Sequence, residues 1–337
     1  MLRLPAFRLE RPESLADACA LLAEGNAVVV AGGTDLLPNM KHELVTPARV
    51  VALERVAELR GVTVDDDGAL VIGAMTTLAE VAADERVAAR APALAQAASL
   101  VAGPQLRTMG TLGGNVLLDT RCQWINQSHF WRKALGYCLK KDGTVCHVVE
   151  GGKKCVAAAS NDTAPALMTL GAELELARAG GTRTLAIDDL WLADGIYNKR
   201  LEPGEILARV RVPAAPAGHR GAYGKLRDRA SIDFPLLGVA ARVDLEDGVV
   251  ARADLVVTAL AAAPKRVAKA AAVLVGLREG SDELEAAIDD AADLAHKQCK
   301  PLSNIPGDAD YRREMVPVYV RRTLRAALAG TGPVHHL

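Results

Sequence analysis

The sequence predicts an α+β protein with a mixed N-terminal part to about residue 213 and a smaller C-terminal part. Three observations support this prediction. The 337 residues exceed what a single hydrophobic core usually organises. Strand-like apolar runs and Ala-rich helical segments intermingle up to "EILARVRVP". The clearest linker in the chain, "PAAPAGHRG", then precedes a predicted hairpin and several helices.

The first predicted element is a helix over residues 13–24, "ESLADACALLAE", with apolar residues at helical spacing on one face. Pro12 precedes it and Gly25 follows it, which are the usual start and stop signals. Cys19 falls on the apolar face and is therefore predicted to be a small core residue.

Strand, turn and helix signals then alternate. "NAVVVAGGTDLLPNMKH" indicates a buried strand, a glycine turn and a short helix. "RVVALERVAELRGVTVDDDGALVIGAM" indicates strands joined by a "DDDG" turn. Thr77 and Glu80 form a predicted capping box for a helix that extends to about Leu100.

Strand, hairpin and helix signals also predict the elements of the second half of the chain. "EILARVRVP" alternates as a strand that ends at Pro213. "GVAARVDLEDGVVARADLVVTAL" predicts a hairpin with an Asp-Gly turn. Helical stretches are predicted over residues 264–277, 281–297 and 309–329.

Composition limits the class of protein and its partners. Half of the residues are hydrophobic and the formal net charge is −1, so we expect neither a nucleic-acid partner nor a membrane partner. No signal-peptide core and no apolar run of membrane-spanning length is present, which leads us to expect a cytoplasmic protein. Thiols stay reduced there, so clustered cysteines are more readily metal ligands or redox centres than disulfides.

Two glycine-rich turns indicate a ligand. Gly32 and Gly33 follow the predicted strand directly, and "TMGTLGGN", residues 108–115, is a second turn of this kind. Glycines there let backbone N–H groups converge on an anion such as a pyrophosphate. The Rossmann and P-loop spacings are both absent, and the alternative is a plain strand-to-helix turn at each site. Together the turns predict one shared anionic ligand.

These two turns resemble the FAD loops of the molybdenum hydroxylase flavoproteins, the medium subunits of xanthine dehydrogenase and aerobic carbon monoxide dehydrogenase. The likeness rests on "AGGTDLLPNMK" and "TMGTLGGN" and continues through "SNDTAPALMTLGAELEL", "EPGEILARVRVP" and "YGKLRDRASIDFPLLGVAARV". It implies a para-cresol methylhydroxylase-type FAD-binding domain of two α/β subdomains over residues 1–215. It also implies a C-terminal domain of the carbon monoxide dehydrogenase flavoprotein type, an antiparallel sheet with helices, over residues 220–330.

The resemblance also implies which residues contact FAD. These are the first loop (Val29, Val30, Ala31, Gly32, Gly33, Thr34, Asp35, Leu36), the second loop (Thr111, Leu112, Gly113, Gly114, Asn115) and four further residues (Val101, Asp162, Leu207, Lys225). From the residues alone, ordinary surface charges would be the better explanation of Asp162 and Lys225.

Residues 119–156, here called the cysteine segment, differ in composition from the rest of the chain. The segment holds four of the six cysteines and four of the eleven aromatic residues, and its basic residues outnumber the acidic ones. The cysteines are Cys122, Cys138, Cys146 and Cys155, spaced C-x15-C-x7-C-x8-C. This is neither zinc-ribbon nor bacterial ferredoxin spacing. The residues themselves leave open an iron–sulfur cluster, a structural zinc ion, or no metal.

The family resemblance favours the iron–sulfur cluster. Asn115 and Asp162 are separated by 46 residues, whereas ordinary family members have a short turn there. An insertion over residues 118–157 with four cysteines resembles the β subunits of 4-hydroxybenzoyl-CoA reductases, in which the extra loop binds a [4Fe–4S] cluster. The four clustered cysteines are then the implied ligands, and Cys299 is predicted to be structural or idle.

The implied function is that of an oxidoreductase subunit for electron transfer. No residue set for substrate catalysis emerges, which fits a subunit whose chemistry belongs to its cofactors. The resemblance implies electron flow from ferredoxin through [4Fe–4S] and FAD to a small [2Fe–2S] subunit and a large molybdenum-cofactor subunit, in a dimer of heterotrimers. The implied reaction is reductive dehydroxylation of 4-hydroxybenzoyl-CoA to benzoyl-CoA in anaerobic aromatic degradation. Two alternatives remain: a related molybdenum hydroxylase that oxidises an aromatic or N-heterocyclic substrate, and a self-sufficient NADPH-dependent flavoenzyme with a zinc-stapled loop.

Overall fold

The structure, a computed structural model, describes residues 2–335. Within these residues the strands are β1 Arg8–Glu10, β2 Ala27–Val30, β3 Arg49–Ala52, β4 Val62–Val64, β5 Leu70–Gly73, β6 Glu173–Arg178, β7 Gly181–Ala186, β8 Ile206–Val212, β9 His219–Leu226, β10 Leu237–Glu246, β11 Val249–Thr258 and β12 Lys265–Arg266. The α-helices are α1 Leu15–Ala23, α2 Leu36–Lys41, α3 Leu78–Ala83, α4 Glu85–Arg90, α5 Pro92–Ser99, α6 Pro104–Arg107, α7 Leu112–Val116, α8 His129–Ala134, α9 Thr163–Leu170, α10 Ala268–Ala272, α11 Asp282–Gln298 and α12 Ala309–Leu328.

A small parallel sheet, in the order β1-β3-β2, opens the chain. Its flanking helix α1 begins where the Ser14 hydroxyl accepts a hydrogen bond from the Asp17 N–H. Cys19 lies buried in the core between this helix and the sheet, which confirms the prediction. The predicted strand, glycine turn and short helix are present as β2 and α2.

The second sheet is antiparallel and has the order β4-β5-β8-β6-β7. The capping box of Thr77 and Glu80 is present at the start of α3. The single long helix predicted after it is wrong, because the chain forms α3, α4 and α5 instead. Asp84 ends the first of them and caps the second, and Pro92 begins the third.

The third sheet, β12-β11-β10-β9, is antiparallel and carries α11 and α12 on one face. The predicted hairpin joins β10 and β11 through Asp247 and Gly248, which both adopt positive φ, as a two-residue hairpin turn requires. The helix predicted over residues 264–277 is shorter than expected, because β12 takes its start and only Ala268–Ala272 is α-helical. The predicted linker is also shorter, since β9 begins at His219.

These elements confirm the α+β fold class, with two α/β subdomains followed by an antiparallel sheet and helices. The largest core combines residues of the five-stranded sheet with Tyr223, Ala240 and Val256 of the C-terminal sheet. The two parts therefore pack through a shared apolar interior. Within residues 2–335, none of the helices has the length and apolar character needed to span a bilayer.

Candidate functional site: two glycine loops and a thiol-lined cavity

The two glycine loops are in direct contact. A methyl group added to Gly32 would come within 1.6 Å of the carbonyl oxygen of Met109, which lies in the second glycine-rich turn, residues 108–115. Gly33 adopts φ +72°, a conformation that side chains other than glycine rarely tolerate. Both glycines are therefore required by local geometry, and the loops form one continuous backbone surface.

The first loop has the free donors that an anion requires. Within residues 2–335, no protein group accepts a hydrogen bond from the N–H groups of Gly32, Gly33 or Thr34. The carbonyl of Gly33 accepts from the Leu37 N–H at 3.2 Å, so the loop leads directly into α2. Unpartnered backbone N–H groups next to a glycine turn fit the pyrophosphate of FAD.

The second loop is organised differently. The Thr111 hydroxyl accepts from the Gly114 N–H at 3.1 Å, and the N–H groups of Leu112 and Gly113 donate to carbonyls of Thr76 and Ala74. The Asn115 side-chain oxygen accepts from both the N–H and the hydroxyl of Thr163. This loop is therefore held mainly by internal bonds, and its contact with FAD stays a prediction.

Asp162 and Lys225 form a buried ion pair, so the interpretation as ordinary surface charges is wrong. The Lys225 ammonium lies 3.0 Å from one carboxylate oxygen of Asp162 and donates to the other at 3.1 Å, and it also donates to the Leu100 carbonyl at 2.9 Å. Burial raises the pKa of Asp162 and lowers the pKa of Lys225, while their mutual attraction opposes both shifts.

Tyr223 completes this network and was not singled out from the sequence. Its hydroxyl donates to Asp162 at 2.9 Å, and burial raises the pKa of the phenol well above its usual value. The sequence could have indicated Tyr223 through its spacing from Lys225. The two residues are two apart on β9, and residues two apart on a strand point to the same side of the sheet.

The remaining predicted FAD residues lie around these groups. Val29 and Val30 end β2, Ala31 follows, and Leu36 begins α2. Leu207 is buried on β8, and the half-buried Val101 packs against the same core. Their contacts with FAD stay predictions.

The four cysteines of the cysteine segment line a single cavity. Cys122, Cys138 and Cys155 are buried and Cys146 is partly exposed. Trp124 is among the other residues that line this cavity. Among residues 2–335, no three His, Cys, Asp or Glu side chains are grouped as a single-ion site requires.

Two of the four sulfurs accept backbone hydrogen bonds. The Val149 N–H donates to the Cys146 sulfur and the Ala157 N–H to the Cys155 sulfur, each at 3.5 Å. Hydrogen bonds to sulfur are one means by which proteins tune iron–sulfur clusters. Burial raises the pKa of the Cys122 thiol to about 11. In the metal-free chain this thiol is therefore protonated at neutral pH, and metal binding must displace the proton.

The basic and aromatic residues of the segment divide into interior and surface groups. Arg132 is buried, whereas Lys133, Lys153 and Lys154 are exposed. Phe130 is 82% exposed. The Phe130 ring therefore faces solvent and does not shield the thiols.

Cys299 lies outside this site, as expected. It is buried in the core of the C-terminal part, with Ala295 of α11 among its neighbours in that core. Burial raises the pKa of its thiol to about 11.

Comparison with known proteins identifies the family. Residues 5–215 match the family described as "FAD binding domain in molybdopterin dehydrogenase", and residues 222–327 match "CO dehydrogenase flavoprotein C-terminal domain". The carbon monoxide dehydrogenase medium chain of Afipia carboxidovorans is 32% identical over 96% of this chain and 97% of its own length.

Solved structures agree with this assignment. The carbon monoxide dehydrogenase from Hydrogenophaga pseudoflava superposes with a TM-score of 0.79 at 31% identity, covering 98% of this chain and all of that one. Quinoline 2-oxidoreductase from Pseudomonas putida 86 gives 0.78 at 27% identity, covering 97% and 99%. With both glycine loops in place, the chain belongs to the FAD-binding subunits of the molybdenum hydroxylase family, and it is similar to the carbon monoxide dehydrogenase medium chain.

Proposed function

We propose that this chain is the FAD- and [4Fe–4S]-carrying subunit of a molybdenum-containing reductase similar to 4-hydroxybenzoyl-CoA reductase. The bound groups would supply electron transfer between an external carrier such as ferredoxin and partner subunits that hold [2Fe–2S] centres and the molybdenum cofactor. The overall reaction replaces the ring hydroxyl of 4-hydroxybenzoyl-CoA by hydrogen. It consumes an electron pair and two protons and releases water.

The convergence of the four thiols on one cavity is the observation that carries this proposal. The four cysteines span residues 122–155, yet all of them line the same cavity. Four thiolates are the ligand set of a [4Fe–4S] cluster, and the N–H groups directed at Cys146 and Cys155 would stabilise the negative charge of such a cluster. Cys122, Cys138, Cys146 and Cys155 would be its ligands.

The surface of the cysteine segment supports an acidic electron carrier as partner. Lys133, Lys153 and Lys154 are exposed, and Phe130 and Trp131 of the same segment add exposed apolar area. Charge of one sign around an apolar contact raises the rate at which an oppositely charged partner associates.

The names of the relatives favour a second candidate, a molybdenum hydroxylase that oxidises an aromatic or N-heterocyclic substrate. One similar structure is a quinoline 2-oxidoreductase, and carbon monoxide dehydrogenases are oxidative as well. The two candidates share FAD and partner subunits and differ in substrate. Assays of the assembled complex separate them: 4-hydroxybenzoyl-CoA reduction with reduced ferredoxin supports the first, and oxidation of an N-heterocycle without that activity supports the second.

The cluster itself is tested on the full chain purified without oxygen. Metal analysis and an absorption spectrum are expected to give about four iron atoms per chain together with flavin bands. One zinc ion and no iron would instead support the zinc-stapled alternative. NADPH oxidation by the isolated chain would support the self-sufficient flavoenzyme.

A pair of cysteine variants localises the cluster. Cys138→Ser removes one proposed ligand and is expected to lower the iron content severely. Cys299→Ser changes a cysteine that is also buried but lies in the C-terminal core, and it is expected to keep the iron. Equal iron content in the two variants would contradict the assignment of the ligands.

A further inference from the structure

Arg121 connects the cysteine segment to the first glycine loop. Its guanidinium forms an ion pair with the Asp35 carboxylate and donates to the Asn39 side-chain oxygen at 2.8 Å. The Asn39 amide in turn donates to the other oxygen of Asp35 at 3.0 Å. The Arg121 side chain is 11% exposed, and its charge also lies 5.7 Å from the centre of the Phe234 ring.

The backbone around Arg121 is fixed from the other side. Its N–H and carbonyl pair with Ala158 at 2.8 and 2.7 Å, and the neighbouring Ala159 pairs with Ala261 of the C-terminal part. The backbone that carries the Arg121 guanidinium is therefore fixed by residues 158–159, which are distant in sequence from the first glycine loop.

Asp35 poses an electrostatic problem for the first loop. It follows directly after Gly32, Gly33 and Thr34, whose N–H groups are free for a pyrophosphate. A carboxylate one residue from that site repels a ligand with two negative charges, because like charges separated by a few ångströms disfavour each other strongly when partly shielded from water.

We propose that Arg121 is a positioning residue of the FAD site: it neutralises the Asp35 carboxylate and keeps that side chain bound to Arg121 and Asn39, so that Asp35 meets FAD through its backbone alone. The cysteine segment then contributes to flavin binding as well as carrying the thiols. This inference rests on FAD binding by the first loop and does not require that the thiols hold iron.

A second arginine from the same segment supports this role. Arg132, with a side chain 2% exposed, donates to the His42 carbonyl at 2.7 Å. His42 follows the last residue of α2, whereas Asp35 precedes its first residue. The cysteine segment thus contacts both ends of the short helix that continues the glycine loop.

The test measures FAD affinity in four proteins: the wild type, Arg121→Met, Arg121→Met with Asp35→Asn, and the control Arg209→Met. Arg209 pairs with Glu175 within the five-stranded sheet, at 2.8 Å, and carries the same charge as Arg121, although its side chain is more exposed (40% against 11%). The bound FAD is removed, and the dissociation constant is then determined from the quenching of flavin fluorescence. Titrations are made at about 0.05 M and about 0.5 M salt, because salt screens exposed charges. Iron content and thermal midpoint are recorded for each preparation.

Arg121→Met is expected to raise the dissociation constant about tenfold at low salt and by less at high salt. Adding Asp35→Asn is expected to restore it to within about threefold of the wild type. The Arg209→Met control should match the wild type. A merely structural role for Arg121 would not be rescued by removing the charge of Asp35.

Wild-type affinity in Arg121→Met overturns the inference, and so does a loss that Asp35→Asn fails to rescue. Should Arg121→Met not fold, Asp35→Asn alone decides, because it changes the side chain and leaves the backbone of Asp35 available to FAD. The inference then expects FAD binding at least as tight as in the wild type, and a tenfold loss overturns it. A wild-type chain that binds FAD but contains no iron would overturn the cluster assignment alone, so the two failures are distinguishable.

Discussion

Lys225→Met removes the ammonium that pairs with the buried Asp162 carboxylate. Lys225 and Asp162 are almost completely inaccessible, and Lys225→Met takes away both contacts to the carboxylate as well as the bond to the Leu100 carbonyl. Among residues 2–335, the Tyr223 hydroxyl is then the one group that still donates to Asp162. Breaking one partner out of a buried pair costs about 3–5 kcal/mol. We therefore expect the free energy of unfolding to fall by that amount.

The loss of stability caused by Lys225→Met should grow as pH rises. Burial already raises the pKa of Asp162 in the folded chain, and loss of Lys225 removes an attraction that opposed this shift. A carboxyl whose pKa is higher folded than unfolded stabilises the protein below its unfolded pKa, and this stabilisation is lost as pH rises through the folded value. The penalty of Lys225→Met should accordingly be larger at pH 8 than at pH 5.

Urea unfolding followed by circular dichroism measures both effects. Lys225→Met with Asp162→Asn removes both charges and is expected to be more stable than Lys225→Met alone, because Tyr223 can still donate to the amide oxygen. A loss below about 1 kcal/mol in the single variant, or costs that simply add, would refute a coupled buried pair.

Three further predictions concern other parts of the chain. Gly32→Ala forces a methyl group against the Met109 carbonyl, so flavin content after purification should fall while far-UV circular dichroism stays close to wild type; full flavin content would contradict the close approach of the loops. Asp84→Ala removes the cap of α4 and should cost about 1 kcal/mol in urea unfolding. A hydrogen bond from Arg86 lowers the pKa of Asp84, so its stabilisation is present above about pH 4 and lost as pH falls through the lowered value; a cost that persists at pH 2 would contradict this. Burial raises the pKa of Cys299 from 9.0 to about 11, so its stabilising effect should be present below pH 9 and lost as pH rises towards 11; a Cys299→Ala variant with the same alkaline transition would show that another group is responsible.

Much of the fold was predictable because its signals are local. The Thr77 capping box and the Asp247–Gly248 turn depend on backbone dihedrals and hydrogen bonds within a few residues, and both are present. The prediction of one long helix before Leu100 was wrong, although the interrupting signals are also local. Asp84 caps α4 and Pro92 begins α5. The glycine loops were recognisable because close backbone approach excludes other residue types.

The sequence by itself determined most of the elements, the two glycine loops and a segment rich in cysteine. Only the tertiary structure decided which charges meet. Asp162 and Lys225 are 63 residues apart in the chain, and Asp35 and Arg121 are 86 apart. Such pairs form because sheets and helices from distant segments pack on a shared core, and residue type alone cannot distinguish a buried partner from a solvated charge. The same packing brings four irregularly spaced thiols to one cavity and leaves Phe130 in solvent.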